Sequence, residues 1–549
     1  MLNSSTLLRF GVVSLCVLTT GVTASADDDF GFGGFYFFPG NLVVSRSVYD
    51  NNPNNVPQGT ILPPGCAQTQ VACPTTPSPD NGTYPFVWNN DAYDGSFGIT
   101  SKIFLDQMTV FGWTLNSLEV PNSSMQNIGA TSDQMVTSFS SKSELALHLS
   151  TDGKYLTFMG YIAPIDALDA SNSNTPTVVD PTNPVGESVY RAVAQVDQRG
   201  NFQFTETNAY SGNNGRAAIL NNTGGADVYY TAGNAGNGGK KQPVGVILGA
   251  GAQIITPAGS PEVGQTPPAN PTPVASFSVT ELNQPADKVG KDDNFRGMTI
   301  FHNVLYYTKG SGGNGVNTVY FVDTTGTACP NGVGLPAPGA TLPTTPLSYN
   351  AATLQSNGLP NNMCILAGFP STPNSLLTTT AAPFGLWFAD ANTLYVADEG
   401  DGYTGGTDLY THAAAQTTAG LQKWVFNSST KLWSLAYTLQ NGLRLGTAYN
   451  IFGYPAGTNA ATGLPWAPAA DGLRNITGSV DGFGLVSIWG ITSTVSGNGD
   501  TGADPNQLVV ITDLVKNTDP KLASFERFFP LRTAGFGEVL RGVSFTPGS

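Results

Sequence analysis

Four arginines stand at equivalent positions of a recurring sequence unit. Each opens a short stretch of small and apolar residues, as in "RGMTIF" and "RGVSF". An arginine side chain presents a planar fork of N–H donors that matches a carboxylate, a sulfate or a phosphate. If the repeats bring the four together, they would form a binding site for an anion. The four residues are Arg216, Arg296, Arg474 and Arg541.

A structural role is the alternative for the same arginines. At the start of an inner strand, an arginine can donate to carbonyl groups of the neighbouring repeat, or pair with acids such as Asp292, Asp293 and Asp471. Like charges gathered in one place repel one another, so such a cluster needs a reason in either case. Both interpretations stay open at this point.

The three histidines do not form a metal-ligand set by their spacing. His148 lies in the middle of an inner strand, where it could point into a central channel. We therefore include His148 with the arginines as a candidate ligand-binding residue, beside the alternative that it is a hydrogen-bonded wall residue. His302 falls in a turn and His412 in a long loop.

Two acidic, glycine-rich loops offer the oxygen ligands that calcium prefers. Neither loop follows the EF-hand pattern, and a solvated turn is the alternative for both. Calcium is the one cofactor that the sequence suggests. The candidate ligands are Asp398, Glu399 and Asp401 in "DEGDG", and Asn498, Asp500 and Asp504 in "GNGDTGAD".

Sequence motifs of the common hydrolases are missing. No HExxH, GxSxG, P-loop or Rossmann glycine pattern occurs in a matching context. A serine or zinc hydrolase is therefore not supported. Acid–base catalysis by carboxylates on separate loops stays open, because such residues converge only in three dimensions.

These candidate residues belong to a repeated unit of four strands. The clearest copy runs from "GLWFAD" (strand A) through "TLYVA" (strand B) and "LQKWVF" (strand C) to "LWSLAYTL" (strand D). Four other complete copies follow the same order. A further copy is split: "GNLVVSRSVY", "KIFLDQMTVFG" and "WTLNSLEVP" supply strands B, C and D, while residues 541–547 supply strand A. A C-terminal strand that completes the N-terminal sheet is typical of a closed β-propeller.

The sequence therefore predicts an all-β fold, a six-bladed β-propeller that forms one domain over residues 27–549. Seven blades are the alternative, because residues 50–101 and 324–363 are long enough to hide strands. In a propeller, strand A lines the central channel and the long loops gather on one face. The arginines would then form a basic rim around one mouth of the channel. The small and apolar strand interiors predict packed channel walls.

The segments "TLYVADEGDG", "GLQKWVF" and "WSLAYTL" resemble a set of secreted bacterial β-propeller proteins of unassigned function. "DGKYLTFMGY", "AYSGNNGRAAI" and "RGVSF" match the same set, so the resemblance covers most of the chain. It implies the fold and secretion, and it implies no activity. More loosely, the repeats are similar to the NHL and lactonase-type propellers, but this chain lacks the carboxylates that those lactonases place around a central metal.

The first 26 residues have the pattern of a signal peptide. Arg9 ends a short basic region, residues 10–22 are apolar, and "ASA" at 24–26 is a cleavage pattern. No later stretch is long and apolar enough to span a bilayer. We therefore expect a secreted chain, extracellular or periplasmic. A net charge of −15 argues against a nucleic-acid partner.

Four cysteines follow the signal peptide, and an even number in an oxidising compartment favours disulfides. Proximity predicts the pairs Cys66–Cys73 and Cys329–Cys364. The alternative, a metal site, is not supported by a CxxC spacing or a nearby histidine.

Two functions fit these observations. The first is a binding protein that holds an anionic glycan, a surface polymer or a partner at the arginine-rimmed mouth. The second is an extracytoplasmic lyase or hydrolase that acts on an anionic polysaccharide, with the arginines neutralising a carboxylate. The first is favoured because no acid–base set is visible in the sequence.

Overall fold

In the computed structural model, residues 36–549 form one compact unit. The predicted signal peptide, the pair Cys66–Cys73 and Asp500 lie outside the described residues. Those described are 34–60, 98–125, 134–181, 183, 185–235, 251–257, 265–266, 270–271, 294–310, 315–329, 332–345, 363–460, 463–498 and 501–549.

The described residues are dominated by β-strands. In chain order these are β1 (Leu42–Val48), β2 (Thr100–Met108), β3 (Thr114–Glu119), β4 (Thr137–Ser138), β5 (His148–Leu149), β6 (Tyr155–Tyr161), β7 (Arg191–Asp197), β8 (Phe202–Thr207), β9 (Gly215–Asn221), β10 (Val228–Gly233), β11 (Ala252–Ile255), β12 (Gln265–Thr266), β13 (Asn270–Pro271), β14 (Phe295–Phe301), β15 (Val304–Lys309), β16 (Thr318–Val322), β17 (Val333–Gly334), β18 (Met363–Leu366), β19 (Pro383–Asp390), β20 (Thr393–Asp398), β21 (Gly420–Asn427), β22 (Leu432–Leu439), β23 (Ala469–Val480), β24 (Leu485–Val495), β25 (Gln507–Leu514), β26 (Phe529–Thr533) and β27 (Glu538–Phe545).

Two short α-helices occur in the same residues, α1 (Leu409–Ala415) and α2 (Pro520–Ala523). The helix α1 lies in the long loop between β20 and β21, so His412 is helical there. Within the described part of the chain, no helix is long and apolar enough to cross a membrane.

The strands form six blades around a central channel, which confirms the predicted fold. Blade 1 is β5-β6-β7-β8, blade 2 is β9-β10-β11, and blade 3 is β14-β15-β16-β18-β17. Blade 4 is β19-β20-β21-β22, blade 5 is β23-β24-β25-β26, and blade 6 is β27-β1-β2-β3, to which β4 adds. For blade 2 the sequence predicts "ASFSVTEL" (residues 275–282) as the fourth strand, and this segment lies outside the described residues.

The C-terminal strand closes the ring as predicted. It pairs antiparallel with β1, from Leu42 opposite Phe545 to Val48 opposite Glu538. Val539, Leu540 and Val543 of β27 are buried. The N-terminal and C-terminal strands of the chain therefore share one sheet, blade 6, and the ring is closed within that blade.

Apolar packing between neighbouring blades forms the core. Every residue of β10, β15, β16 and β20 is buried. One cluster joins blades 2, 3 and 4, and another joins blades 4 and 5. The aromatic and β-branched residues that the sequence repeats in strands B and C thus fill the spaces between sheets.

A glycine after the arginine lets neighbouring inner strands approach closely. A Cβ added at Gly297 would overlap the carbonyl oxygen of Phe384 in blade 4. The same order, arginine then glycine, recurs at Arg541 and Gly542. The repeated "RG" is therefore partly a packing signal, because a larger residue would force the strands apart.

Candidate ligand-binding site in the central channel

The channel contains a cavity of about 660 Å³ that the inner strands of all six blades line. Blade 3 contributes Thr299 and Ile300 near the end of β14, and blade 5 contributes Thr477 from β23. The arginines stand nearer the starts of these strands, so the cavity lies toward the opposite end of the channel. The prediction of packed walls therefore fails at this end, where small and branched side chains leave space open.

The described lining of this cavity combines hydroxyl groups with apolar and aromatic surface. Its hydroxyls include those of Thr151, Thr299, Thr477 and Ser544. Among the described lining residues, no Asp, Glu, Lys or Arg occurs. The cavity can therefore offer hydrogen bonds to a polar ligand without offering a counter-charge.

Trp387 is the largest aromatic side chain in the described lining of the cavity. Its indole packs over Gly478 of blade 5, where an added Cβ would lie 2.8 Å from the indole Cε3. Trp387 remains partly exposed, while the strand residue before it, Leu386, is buried. A flat ring fixed in this way can stack against the apolar face of a ligand.

His148 lines the same cavity and crosses from blade 1 toward blade 3. Its Nε2 donates to the Met298 carbonyl oxygen at 2.9 Å, because a carbonyl can only accept. The proton is then on Nε2, and Nδ1 is the acceptor; the described residues give this buried Nδ1 no hydrogen-bond partner. Burial, partly offset by the bond to Met298, lowers the pKa of His148 to about 4. The ring is therefore neutral at pH 7.

At the other end of the channel, the arginines are buried instead of lining an open rim. Arg216, Arg296, Arg474 and Arg541 have relative exposures of 3%, 6%, 3% and 2%. The structure thus places them at the predicted starts of inner strands but surrounds them with protein. Whether they bind an anion stays a prediction.

Arg216 and Arg296 reach residues of other blades. Arg216 donates from Nε to Asn214 Oδ1 at 2.8 Å, and from one terminal nitrogen to Asn294 and to the Phe295 carbonyl oxygen. Arg296 donates to Ser143 of the segment before β5, two blades away. Burial and the charge of Arg296 lower the pKa of Arg216 well below its usual range. These contacts tie blades 1, 2 and 3 together.

Arg474 joins blade 5 to the acidic loop of blade 4. Its Nε lies 3.2 Å from Glu399 Oε2, and Lys142 Nζ lies 3.4 Å from the same oxygen. Burial alone would raise the pKa of Glu399, but Lys142, Arg296 and Arg474 outweigh it and lower this pKa to about 2. Glu399 is therefore a permanent anion at the centre of the cationic cluster.

Arg541 stands apart from this cluster. It donates to the Phe139 carbonyl oxygen, and its Nε lies 3.4 Å from Ser47 Oγ. Its own carbonyl oxygen accepts from Asn475 Nδ2 of blade 5 at 2.8 Å. Arg541 therefore holds the closing strand to blades on both sides.

Sequence reasoning missed Glu144, which anchors the cluster on the blade 1 side. The Tyr161 hydroxyl donates to it, as do the Ser138 N–H at 3.0 Å and Asn214 Nδ2 at 3.3 Å. In the sequence, Glu144 is the one acidic residue among the first residues of the predicted inner strands. Its partners come from other strands, and nothing in the local sequence indicates them.

The residues proposed as calcium ligands mostly accept from the protein itself. Asp398 accepts from the N–H groups of Ala382 and Gly400, both at 3.0 Å. Burial raises the pKa of Asp398 to about 6. Asp401 is exposed and lies 2.7 Å from His412 Nε2. Calcium binding at this loop stays a prediction.

The second proposed calcium loop is also internally bonded in its described part. Asp504 Oδ1 accepts from the Tyr454 hydroxyl at 2.6 Å and from Ser496 Oγ at 3.0 Å. Burial raises the pKa of Asp504 to about 7. Asn498 is buried beside them. The loop therefore has a packing role whether or not an ion binds.

The predicted disulfide Cys329–Cys364 is present, with a Cα–Cα distance of 5.9 Å. Asp323 lies close enough to both cysteines to resemble a metal-ligand group. Because the two sulfur atoms are bonded to each other, they are not thiolates, and a metal site there is not supported.

A smaller cavity of about 410 Å³ lies on the arginine side of the propeller. Lys142, Glu399 and Asp401 line it together with Asn317 and Asn374. Lys142 and Glu399 already pair with each other, and Asp401 pairs with His412. This cavity is therefore a weaker candidate for an anion site than the cluster of arginines in the sequence suggested.

Comparisons with known proteins do not assign this chain to a family. No protein-family model matches the chain, and no curated protein matches it. Among solved structures, it is similar to the GH74 enzyme of Niastella koreensis, at 9% sequence identity and a TM-score of 0.28. That alignment covers 79% of this chain and 44% of the enzyme, so this chain matches less than half of the enzyme's length. We draw no conclusion about activity from this likeness.

Proposed function

We propose that this chain is a secreted binding protein that holds the end of a neutral oligosaccharide in its central channel. The observation that carries the proposal is the lining of the 660 Å³ cavity, which joins hydroxyl groups to the indole of Trp387. Sugars present hydroxyls at the ring edge and C–H groups on the ring faces. Such a ligand needs both kinds of surface at once.

The absence of charge in the described lining favours a neutral ligand. An ionised group that enters a cavity loses hydration, and only a counter-charge or several strong hydrogen bonds compensate for the loss. His148 adds no positive charge, because its pKa is lowered to about 4 by burial. A hydroxyl-rich ligand avoids this cost.

An anionic glycan at the arginines, the hypothesis from the sequence, has less support. The arginine side chains are buried, and Arg474 already faces Glu399. For an anion to bind, it would have to displace Glu399 or the carbonyl oxygens that accept from these side chains. Anion binding nevertheless gives a distinct result in the experiment below.

Binding is favoured over catalysis because the described lining of the cavity contains no carboxylic acid; its titratable side chains are His148 and His302. Polysaccharide hydrolases commonly use a pair of carboxylic acids on either side of the bond that is cleaved. In the described residues, the buried acids Glu144 and Glu399 stand at the arginine end of the channel. Glu399, with its pKa near 2, cannot act as a proton donor at neutral pH.

The test is calorimetric titration of the purified chain with neutral and acidic oligosaccharides. We expect neutral oligosaccharides to bind, and Thr477→Val, which removes one hydroxyl at nearly constant volume, to weaken binding about tenfold. Trp387→Ala should weaken it at least as much. Trp113→Ala is the matched control, because this side chain is 76% exposed and does not line the cavity.

Two results would contradict the proposal. If no neutral oligosaccharide binds, the channel site is wrong. If acidic oligosaccharides bind instead, and the variants Arg296→Gln and Arg474→Gln lose that binding while Trp387→Ala keeps it, the arginine cluster is the site.

A further inference from the structure

An aromatic groove lies beside the channel cavity, between blades 3 and 4. Its volume is about 330 Å³. Phe301 comes from the end of β14, Phe388 from β19, and Phe426 and Trp433 from the outer strands of blade 4. The opposite wall is the segment from Leu335 to Ala340, which contains two prolines. Rings form one side of the groove and an irregular chain segment forms the other.

The rings are held in a fixed arrangement. Phe301 and Phe388 are stacked, with centroids 4.4 Å apart and an interplanar angle of 7°. Phe426 and Trp433 are tilted, with centroids 5.5 Å apart. Phe301 and Phe426 are only partly buried, so each leaves part of its surface toward the groove. The arrangement is rigid and needs little reordering to accept a ligand. Phe388 and His302 both stack on Phe301. Phe426 is therefore the ring left to contact a ligand.

Two elements line both the groove and the channel cavity, which makes the two spaces neighbours. The first is His302, which is exposed and stacks on Phe301 with centroids 4.0 Å apart. The second is the wall segment, because Leu342 lines the channel cavity two residues after Ala340 lines the groove. His302 and Asn303 both have positive φ, as a two-residue hairpin turn requires. The imidazole therefore stands at the boundary between the two spaces.

The wall of the groove is fixed at both ends. Cys329, bonded to Cys364 of β18, starts the segment, and β17 then pairs in parallel with β18. Further along, the Pro343 carbonyl oxygen accepts from the Tyr230 hydroxyl of blade 2 at 2.7 Å. The disulfide thus determines where one side of the groove lies.

We propose that this groove is a second subsite for the same ligand, which receives the next sugar units of a neutral chain whose end lies in the channel. This inference rests on the proposed function of the channel. The ligand class it implies is a polymer of hexoses with equatorial hydroxyls, such as a β-linked glucan. Both ring faces of such a hexose carry axial C–H groups that suit aromatic stacking. His302, at the boundary, would donate to or accept from the linkage region.

The test uses a cello-oligosaccharide ladder of one to six glucose units, titrated calorimetrically into the full chain. We expect affinity to rise about tenfold from the shortest bound sugar to those that reach the groove. Phe426→Leu removes a ring and keeps apolar volume, and Ala391→Trp fills the groove from its exposed edge. Both variants should lose the gain with length and keep the affinity for the shortest bound sugar. Ser429→Trp is the control, because Ser429 is exposed and lines neither space.

The outcomes separate this inference from the proposed function. If affinity is the same at all lengths and unchanged in Phe426→Leu and Ala391→Trp, the groove is not a subsite and the channel site stands. If no length binds, the glucan assignment is overturned, and the neutral series in the channel test decides whether the channel site survives. If both groove variants weaken binding of the shortest sugar as much as binding of the longest, they have altered the channel site and not a separate subsite. The inference is then also wrong.

Discussion

The substitution Gly542→Ala tests the closure of the ring at a single atom. Gly542 lies in β27, beside the segment that leads into blade 1. An added Cβ would overlap the Leu145 carbonyl oxygen and lie 2.7 Å from the Leu147 nitrogen. The φ of Gly542 is not in the left-handed region, so alanine can adopt the same backbone. Any loss of stability would therefore come from packing and not from conformation.

The expected loss in the free energy of unfolding follows from the atoms that the added methyl group would contact. Adding a methyl to a close-packed interior costs about 1–3 kcal/mol, and backbone atoms cannot rotate aside, so the upper end applies. The Ser45 hydroxyl accepts from the Gly542 N–H at 2.8 Å and donates to the Leu145 oxygen at 2.7 Å. Loss of these two hydrogen bonds of Ser45 would add about 1 kcal/mol to the destabilisation. We therefore expect the free energy of unfolding to fall by about 4 kcal/mol.

Gly482→Ala is the matched control. Gly482 lies in the turn between β23 and β24, has no heavy atom within 4 Å of an added Cβ, and is not in the left-handed region. Alanine at such a site changes stability by less than about 1 kcal/mol, usually upward. Chemical denaturation followed by tryptophan fluorescence, with melting temperatures as a second measure, compares the two. Equal unfolding midpoints for both variants would show that Gly542 is not closely packed against Leu145 and Leu147.

Two other predictions concern the whole ring. Removing residues 540–549 deletes the buried Leu540 and Val543 and most of the pairing with β1. We expect a loss of about 5 kcal/mol or more, and a truncated chain that melts like the full one would show that closure is not needed. The pH dependence should be unusual, because burial raises the pKa of Asp398 to about 6 and of Asp471 and Asp504 to about 7. The protonated aspartates contribute to the free energy of unfolding. This contribution is fully present below the unfolded-state pKa of about 4 and is lost as the pH rises through 7. Glu399, with its pKa lowered to about 2, contributes the opposite way, and its stability is lost as the pH falls below about 4.5. His148, with its pKa lowered to about 4, likewise loses its contribution as the pH falls below about 6.5, but the three aspartates outnumber it. The melting temperature should therefore be higher at pH 4.5 than at pH 7.5, and a higher melting temperature at pH 7.5 would contradict this prediction.

The fold was predictable because its signals are local and repeated. Alternating apolar residues, the turns "DAN" and "NSST", and the recurrence of one strand order identify each blade without knowledge of the others. The split blade was predictable for the same reason, since β27 and β1 each carry the pattern of one part of the unit. The parallel strand β17 was missed, because two residues carry no periodicity.

The surroundings of the arginines were not predictable in the same way. Their positions at the starts of inner strands follow from the repeat. Their burial depends on partners far along the chain, since Arg296 bonds to Ser143 and Arg474 to Glu399. No local pattern indicates such pairs, and the nearby acids Asp292 and Asp293 lie outside the described residues. A repeat can therefore give the location of a charge without giving its partner.

The channel cavity escaped prediction because strand registers decide which side chains face inward. In β14 the pairing with β15 shifts between Phe295 and Met298, and in β23 it shifts twice before Thr477. Each shift exchanges the residues that face the channel with those that face a neighbouring sheet. The threonines of the cavity therefore read as ordinary strand residues in the sequence.

The two ends of the channel differ in a way that explains why we propose a ligand site at the end without charged residues in its described lining. At the arginine end, buried charges are stable only because fixed protein groups replace water around them, as Glu399 does for Arg474 and Lys142. A ligand there would have to break those contacts before making its own. At the opposite end, hydroxyl groups and the Trp387 indole can exchange water for a ligand without separating an ion pair. The arginines that recur in the sequence thus hold the inner strands at one end, which is why the ligand site that we propose lies at the other end.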